Sequence, residues 1–223
     1  MLIYLSFLAP ALLLVVWAQI KVKSSYARAA EIPACMSGAA AAREMLHRSG
    51  LYDIDIEQVP GLLSDHYDPR HKTLRLSQDV YHGKSLAAVG IAAHEVGHAI
   101  QDARNYLPLV VRNVAVPAAS FGSNASLILL MIGAMFQPLA PFIWVGIILF
   151  GVVVFFQIVN LPVEFDASAR AKAQLVEQGI VNDQELAQVS KVLSAAAMTY
   201  VAATLQSVLT LAYYAMIFLG RRR

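Results

Sequence analysis

The chain has 223 residues, of which 58% are apolar and 14% charged, with a net charge of +2 and a mean hydropathy of +0.57. Water-soluble domains run at about 45–50% apolar and about 25% charged, so an ordinary soluble globule, a disordered chain and a collagen-like chain are all excluded. A single cysteine, Cys35, rules out an intramolecular disulfide framework and a cysteine-based zinc site; it reads as an inert buried thiol. So small a charge, with no basic run in a folded part, gives no footing for nucleic acid. Composition leaves an integral membrane protein with a modest polar part.

A spanning helix needs about 20 mostly apolar residues, and four windows qualify. Residues 2–20 carry no charge and end at Lys21 and Lys23. With no positive n-region and no small-residue cleavage site before Lys21, they read as a retained anchor, not a cleaved signal. Residues 24–50 read as helical, stopping at Ser49-Gly50. Residues 53–59 alternate polar and apolar as a half-buried strand does, and Pro60-Gly61 turns the chain. Two further short strands, 65–68 and 73–77, flank the turn at Asp68-Pro69-Arg70, and an Ala-rich helix follows over 85–104. The second and third windows, 113–136 and 141–159, are joined by Gln137-Pro138-Leu139-Ala140 and read as a helical hairpin. A further helix is expected to begin near Pro162, and another near Asn182, where Asn182-Asp183-Gln184-Glu185 has the capping-box pattern. The fourth window, 193–219, is closed by Arg221, Arg222 and Arg223.

One motif carries chemistry: His94-Glu95-Val96-Gly97-His98. Histidines four apart on a helix project from one face, and two imidazole nitrogens there reach one zinc at about 2.0–2.1 Å. Glu95, rotated away from the metal, remains within reach of its water; zinc lowers that water's pKa, and the carboxylate takes the proton as hydroxide attacks a carbonyl. Gly97 keeps the metal's surroundings free of a side chain. At this chain's own frequencies of histidine and glutamate, a chance H-E-x-x-H arises in roughly one of 200 such chains, and the helical context the motif requires is supplied by the apolar stretch before it.

A catalytic zinc keeps three protein ligands and one open position. No histidine follows His98 in the chain, so the third ligand is expected to be a carboxylate among Glu164, Asp166, Glu177, Asp183 and Glu185. Glu164 is favoured, because it stands just after a membrane window beside Pro162; Glu177 and Glu185 read as solvated. Asp166 and Ser168 are candidates for holding a ligand from behind.

The stretches Ser64-Asp65-His66-Tyr67-Asp68-Pro69, Leu74-Arg75-Leu76-Ser77, Val80-Tyr81, Ser85-Leu86-Ala87-Ala88-Val89-Gly90, His94-Glu95-Val96-Gly97-His98-Ala99-Ile100-Gln101 and Leu161-Pro162-Val163-Glu164-Phe165-Asp166-Ala167-Ser168 resemble the bacterial YugP-type neutral zinc metallopeptidases. The resemblance covers most of the chain, including the four hydrophobic windows. More distantly the chain is similar to HtpX and the CAAX prenyl proteases, membrane gluzincins in which H-E-x-x-H is completed by a Glu opening E-x-x-x-D. Here Glu164 stands at that Glu and Ser168 at the Asp. The resemblance implies a protease more firmly than it implies any substrate.

The expected architecture is mostly α and membrane-integral: about four transmembrane helices and a zincin-like α+β catalytic part with a small sheet. It divides into an anchor (1–20), a catalytic segment (21–112), a transmembrane hairpin (113–159), a segment with the third zinc ligand (160–192) and a last helix with its basic tail (193–223). The expected activity is that of a membrane-bound zinc metalloendopeptidase with one Zn2+ per chain, acting on protein or peptide substrates, membrane proteins included. The strand formed by Leu74, Arg75 and Leu76 is a candidate to pair with an extended substrate. An oxyanion stabiliser is sought among His66, Tyr67, Tyr81, Tyr200 and Arg170, while His47, His71 and His82 read as surface residues. Two other readings are a site-2-type intramembrane protease and a zinc-binding membrane scaffold without turnover. Against the first, residues 86–100 are short for a span and no hydrophobic window holds an Asp. Four spans put 21–112 and 160–192 on one side with Lys21, Lys23, Arg28, Arg104, Arg112, Arg170, Lys172 and Lys191. Positive-inside counting then places the catalytic part in the cytoplasm of a bacterial cell; the terminal arginines run against it.

Overall fold

A computed structural model describes the backbone of residues 2–220 and the side chains of residues 7–218; Met1 and the tail arginines Arg221, Arg222 and Arg223 lie outside the described residues. The elements run α1 (Leu2–Ala30), α2 (Gly38–Arg48), β1 (Asp55–Val59), β2 (His66–Asp68), β3 (Thr73–Ser77), α3 (Gln78–His82), α4 (Leu86–Ala103), α5 (Leu107–Met135), a 3-10 turn (Gln137–Leu139), α6 (Phe142–Glu177) and α7 (Asp183–Gly220). The fold is mostly α with one small sheet, and α1, α5, α6 and α7 are long and apolar enough to cross a membrane.

Two helix boundaries differ from expectation, each for a local reason. The helix expected over 24–50 is broken between Ala30 and Gly38. Pro33 disfavours a helical residue before it, the chain there pairs with Lys84 and Leu86 through Ala34 N–H and Ile32 C=O, and Ser37 caps a new helix by accepting from Ala40 N–H. No helix starts at Pro162: α6 passes through it unbroken from Phe142 to Glu177, since a proline in a long apolar helix removes only one intrahelical donor. At Asn182 the capping box forms as expected, Asn182 N–H donating to Glu185 Oε2 at 2.8 Å and Glu185 N–H to Asn182 Oδ1 at 3.0 Å. The helix it opens runs on to Gly220, so positions 160 and 193 both fall inside continuous helices.

The chain divides into two compact units. The first comprises Met1–Trp17, Val110–Pro162 and Thr199–Arg223. Its α5 and α6 approach through small residues: a Cβ on Gly122 would lie 2.9 Å from the Leu149 carbonyl oxygen, and one on Gly146 3.1 Å from that of Ser126. Close backbone approach of this kind drives association where lipid removes the hydrophobic incentive.

The second unit comprises Ala18–Leu109 and Val163–Met198. Its sheet has the order β1-β3-β2, β3 running parallel to β1 and antiparallel to β2. The strand expected to receive substrate, with Leu74, Arg75 and Leu76, is therefore the middle one. Leu74 pairs with both Ile56 and Tyr67, and Ser77 N–H is taken by Asp65. At Leu74 the β3 backbone is paired on both sides and leaves no room for a further strand; the outer strands of the sheet are β1 and β2. Leu74 and Leu76 are fully buried beneath the sheet, each worth about 1.5–3 kcal/mol of burial. They join a core built around α4, with Met45, Leu46, Val89 and Val96. Ser85 opens α4 by accepting from Ala88 N–H at 3.2 Å, and most of the helix is buried.

Candidate metal centre

Two pairs of residues, each four apart on its own helix, face one another across the crossing of α4 and α6. His94 and His98 come from α4, Glu164 and Ser168 from α6. The crossing is close because of Gly97: a Cβ there would lie 2.4 Å from the Ala167 carbonyl oxygen. The expectation that Gly97 clears the metal's surroundings thus takes a more specific form, since it admits the backbone of α6.

The imidazole rings of His94 and His98 lie edge to face, 4.7 Å apart. Their Nε2 atoms point at Glu164, whose Oε2 is 3.3 Å from that of His94 and 3.8 Å from that of His98. The three ligand atoms lie within 4.8 Å of one another. Metal–ligand bonds of about 2.0–2.2 Å in a tetrahedron set ligand atoms roughly 3.3–3.5 Å apart, and two histidines with a glutamate are a catalytic zinc donor set. The residues present therefore fit such an ion in both chemistry and spacing.

Each ring is held from behind. His94 Nδ1 lies 3.1 Å from Ser168 Oγ, and His98 Nδ1 lies 3.0 Å from Gln101 Oε1. Ser168 thus occupies the place behind a ligand that the resemblance gives to an aspartate. Glu164, His98 and Glu95 are 3%, 8% and 7% exposed, whereas the His94 side chain is 17% exposed and forms the open edge of the group. Burial pushes His98 towards the neutral form, but the Glu164 carboxylate 3.8 Å from its Nε2 and the charge of Glu95 outweigh it and raise its pKa.

Glu95 is anchored by the sheet, its Oε2 accepting the backbone N–H of Tyr67 on the edge strand β2 at 3.0 Å. The Tyr67 hydroxyl is already committed, donating to Asp102 at 2.9 Å, which Lys72 also reaches at 2.7 Å. Burial foremost, and then Asp102, raise the phenol's pKa, so this tyrosine is spent on structure.

The other sequence candidates divide. Asp166 touches neither histidine; its Oδ2 accepts from Gln101 Nε2 and Arg170 Nε, and Arg170 also stacks on Tyr106. His66 is turned to the Ser64 carbonyl oxygen, and Tyr81 packs on the core with its ring edge against His82. His47, His71 and His82 are exposed, as expected. Cys35, expected to be buried, is exposed, with its Sγ 3.6 Å from the Ile180 carbonyl oxygen; it sits in the irregular segment opened by Pro33, not in a helix face. In the sequence Gln101 stood at the end of the stretch that carries the resemblance, one turn after His98, with no role assigned to it.

The sequence matches, over residues 4–219, the family described as "Putative neutral zinc metallopeptidase". It is similar to "Putative membrane protease YugP" of Bacillus subtilis (strain 168), at 47% identity over 208 residues and 92% of each chain. No solved structure matches it significantly. With two histidines and a glutamate converging as a zinc site needs, and a match running nearly end to end, the chain belongs to this family of neutral zinc metallopeptidases.

Proposed function

We propose that the chain is a membrane-bound zinc metalloendopeptidase of the gluzincin type, in which His94, His98 and Glu164 hold one zinc ion per chain and Glu95 is the general base. The observation that carries this reading is the convergence of those three side chains beside a fourth, Glu95, that is buried and, among the described residues, tied by one hydrogen bond. When bound, zinc supplies a Lewis acid that polarises the scissile carbonyl and lowers the pKa of a water. The chain's own residues do the rest. Glu95 accepts the proton of the attacking water and hands it to the leaving amine. The Tyr67 amide fixes one oxygen of that carboxylate, leaving the other to take the proton. Ser168 orients His94 so that Nε2 faces the metal position.

In this reading 1–20, 113–159 and 193–223 form the membrane part of a bacterial cell membrane protein, while 21–112 and 160–192 carry catalysis on its cytoplasmic side. The substrates are proteins or peptides, membrane proteins among them. A site-2-type arrangement is not favoured, since α4 is not among the helices long and apolar enough to span.

The test is hydrolysis of an unfolded protein such as casein by the detergent-purified chain, beside its Glu95→Gln variant, with zinc content measured in both. Cleavage by the parent alone, at equal zinc, is the expected result. Zinc in both with cleavage by neither supports a binding scaffold, and equal cleavage by both removes Glu95 from the mechanism.

A further inference from the structure

We propose that Gln101 is a positioning residue that sets the tautomer of His98 and ties the Glu164-bearing turn of α6 to α4. The proposal rests on the metal-site reading above. Gln101 is completely buried and uses its whole amide: Oε1 lies 3.0 Å from His98 Nδ1, while Nε2 lies 2.8 Å from the Val163 carbonyl oxygen and 2.8 Å from Asp166 Oδ2.

Those partners fix which way round the amide sits. A carbonyl oxygen only accepts, and Asp166, ion-paired with Arg170, also only accepts, so both must face the two N–H groups of Gln101. The amide oxygen is left for His98, whose Nδ1 must then carry the hydrogen. When the imidazole is neutral, this leaves Nε2, 3.8 Å from Glu164, as the bare nitrogen. One side chain therefore prepares one ligand and, through the carbonyl of the residue preceding Glu164, holds the backbone that presents another. Neither a carboxylate nor an apolar residue of the same length reproduces an acceptor on one side with two donors on the other.

The experiment measures imidazole 15N shifts of the metal-free, full-length protein in detergent at alkaline pH, with zinc affinity by chelator competition. Wild-type His98 is expected as the Nδ1–H tautomer. In Gln101→Met, of similar volume, His98 is expected to lose that preference and zinc to bind roughly 10- to 100-fold more weakly, while His94, held by Ser168, keeps its tautomer. That retained His94 signal distinguishes loss of positioning from loss of fold. His98 found as Nε2–H in the wild-type protein overturns the proposal without any variant. Unchanged tautomer and affinity in Gln101→Met overturn it too. Failure of the wild-type chain to bind zinc would instead sink the metal-site reading, and the wild-type tautomer would still test the orientation.

Discussion

An imidazole offers two nitrogens, and a metal takes whichever one its neighbours leave bare. At His94 the neighbour is a hydroxyl, Ser168 Oγ at 3.1 Å from Nδ1, a single-point contact on the side away from Glu164. Ser168→Ala is accordingly expected to weaken zinc binding about tenfold or more with little change in the metal-free melting temperature; Ser168→Asp is expected to retain the orientation. Chelator competition on the three proteins checks both. A second prediction concerns acid. The His71 imidazole foremost, then the Arg70 N–H and the Arg75 guanidinium, outweigh burial and hold the Asp68 carboxyl well below the ordinary range. A depressed folded pKa contributes stability above the unfolded value of about 3.9 that disappears as pH falls through it towards the folded pKa. Asp68→Asn should therefore melt lower than the parent near neutrality, by about 2–4 °C for each kcal/mol lost, with the gap shrinking once pH falls below about 4 and closing only towards the still lower folded pKa. Thermal melts across that range decide it. What was legible at this scale was local: H-E-x-x-H advertises its candidate ligands because helix periodicity alone brings them together. Gln101 stayed silent because two of its three partners lie 62 and 65 residues away, and no spacing rule reaches that far.

The same limit separates elements that were readable from those that were not. The capping box at Asn182 is four consecutive residues acting on one another, and it forms as read. Asn182→Ala is expected to cost about 1 kcal/mol, seen as a lower melting temperature with unchanged zinc affinity. Strand order is a different matter. β3 follows β2 in the chain and pairs with it as a hairpin would, but its second edge is closed by β1 running parallel, and neither alternation nor turn chemistry reports that. The crossing of α4 and α6 is legible only in part. The sequence supplies Gly97, and the structure supplies what it must not touch: a Cβ would meet backbone, the Ala167 carbonyl oxygen, which has no flexible end to swing aside. Gly97→Ala should force the helices apart at the turn that carries Glu164, an overpacking cost of about 1–3 kcal/mol or more. It should lower both melting temperature and zinc affinity, whereas Asn182→Ala moves only the first. A Gly97→Ala protein with full zinc affinity would mean that Glu164 does not depend on this crossing.

For the whole molecule, metal and membrane each make a demand that can be measured. An ion bound only by the folded state adds RT ln(1 + [L]/Kd), about 2.7 kcal/mol at 100 times Kd. The melting temperature in detergent should thus rise with free zinc by roughly 5–10 °C and fall back on chelation, and His94→Ala should abolish the dependence. The membrane demand is one of sidedness. Eight basic residues flank the polar segments 21–112 and 160–192, and lysines and arginines near membrane segments are retained in the cytoplasm. The three arginines ending the chain oppose that count. The chain carries its own reporter: Cys35 is the sole cysteine, it is exposed, and it lies in the segment between α1 and α2. A membrane-impermeant maleimide should leave Cys35 unlabelled in intact bacterial cells and label it once the membrane is opened, with Cys35→Ser as the blank. Labelling of intact cells would put the candidate metal ligands His94 and His98, on the same segment, outside, and would mean that the terminal arginines outweigh the eight.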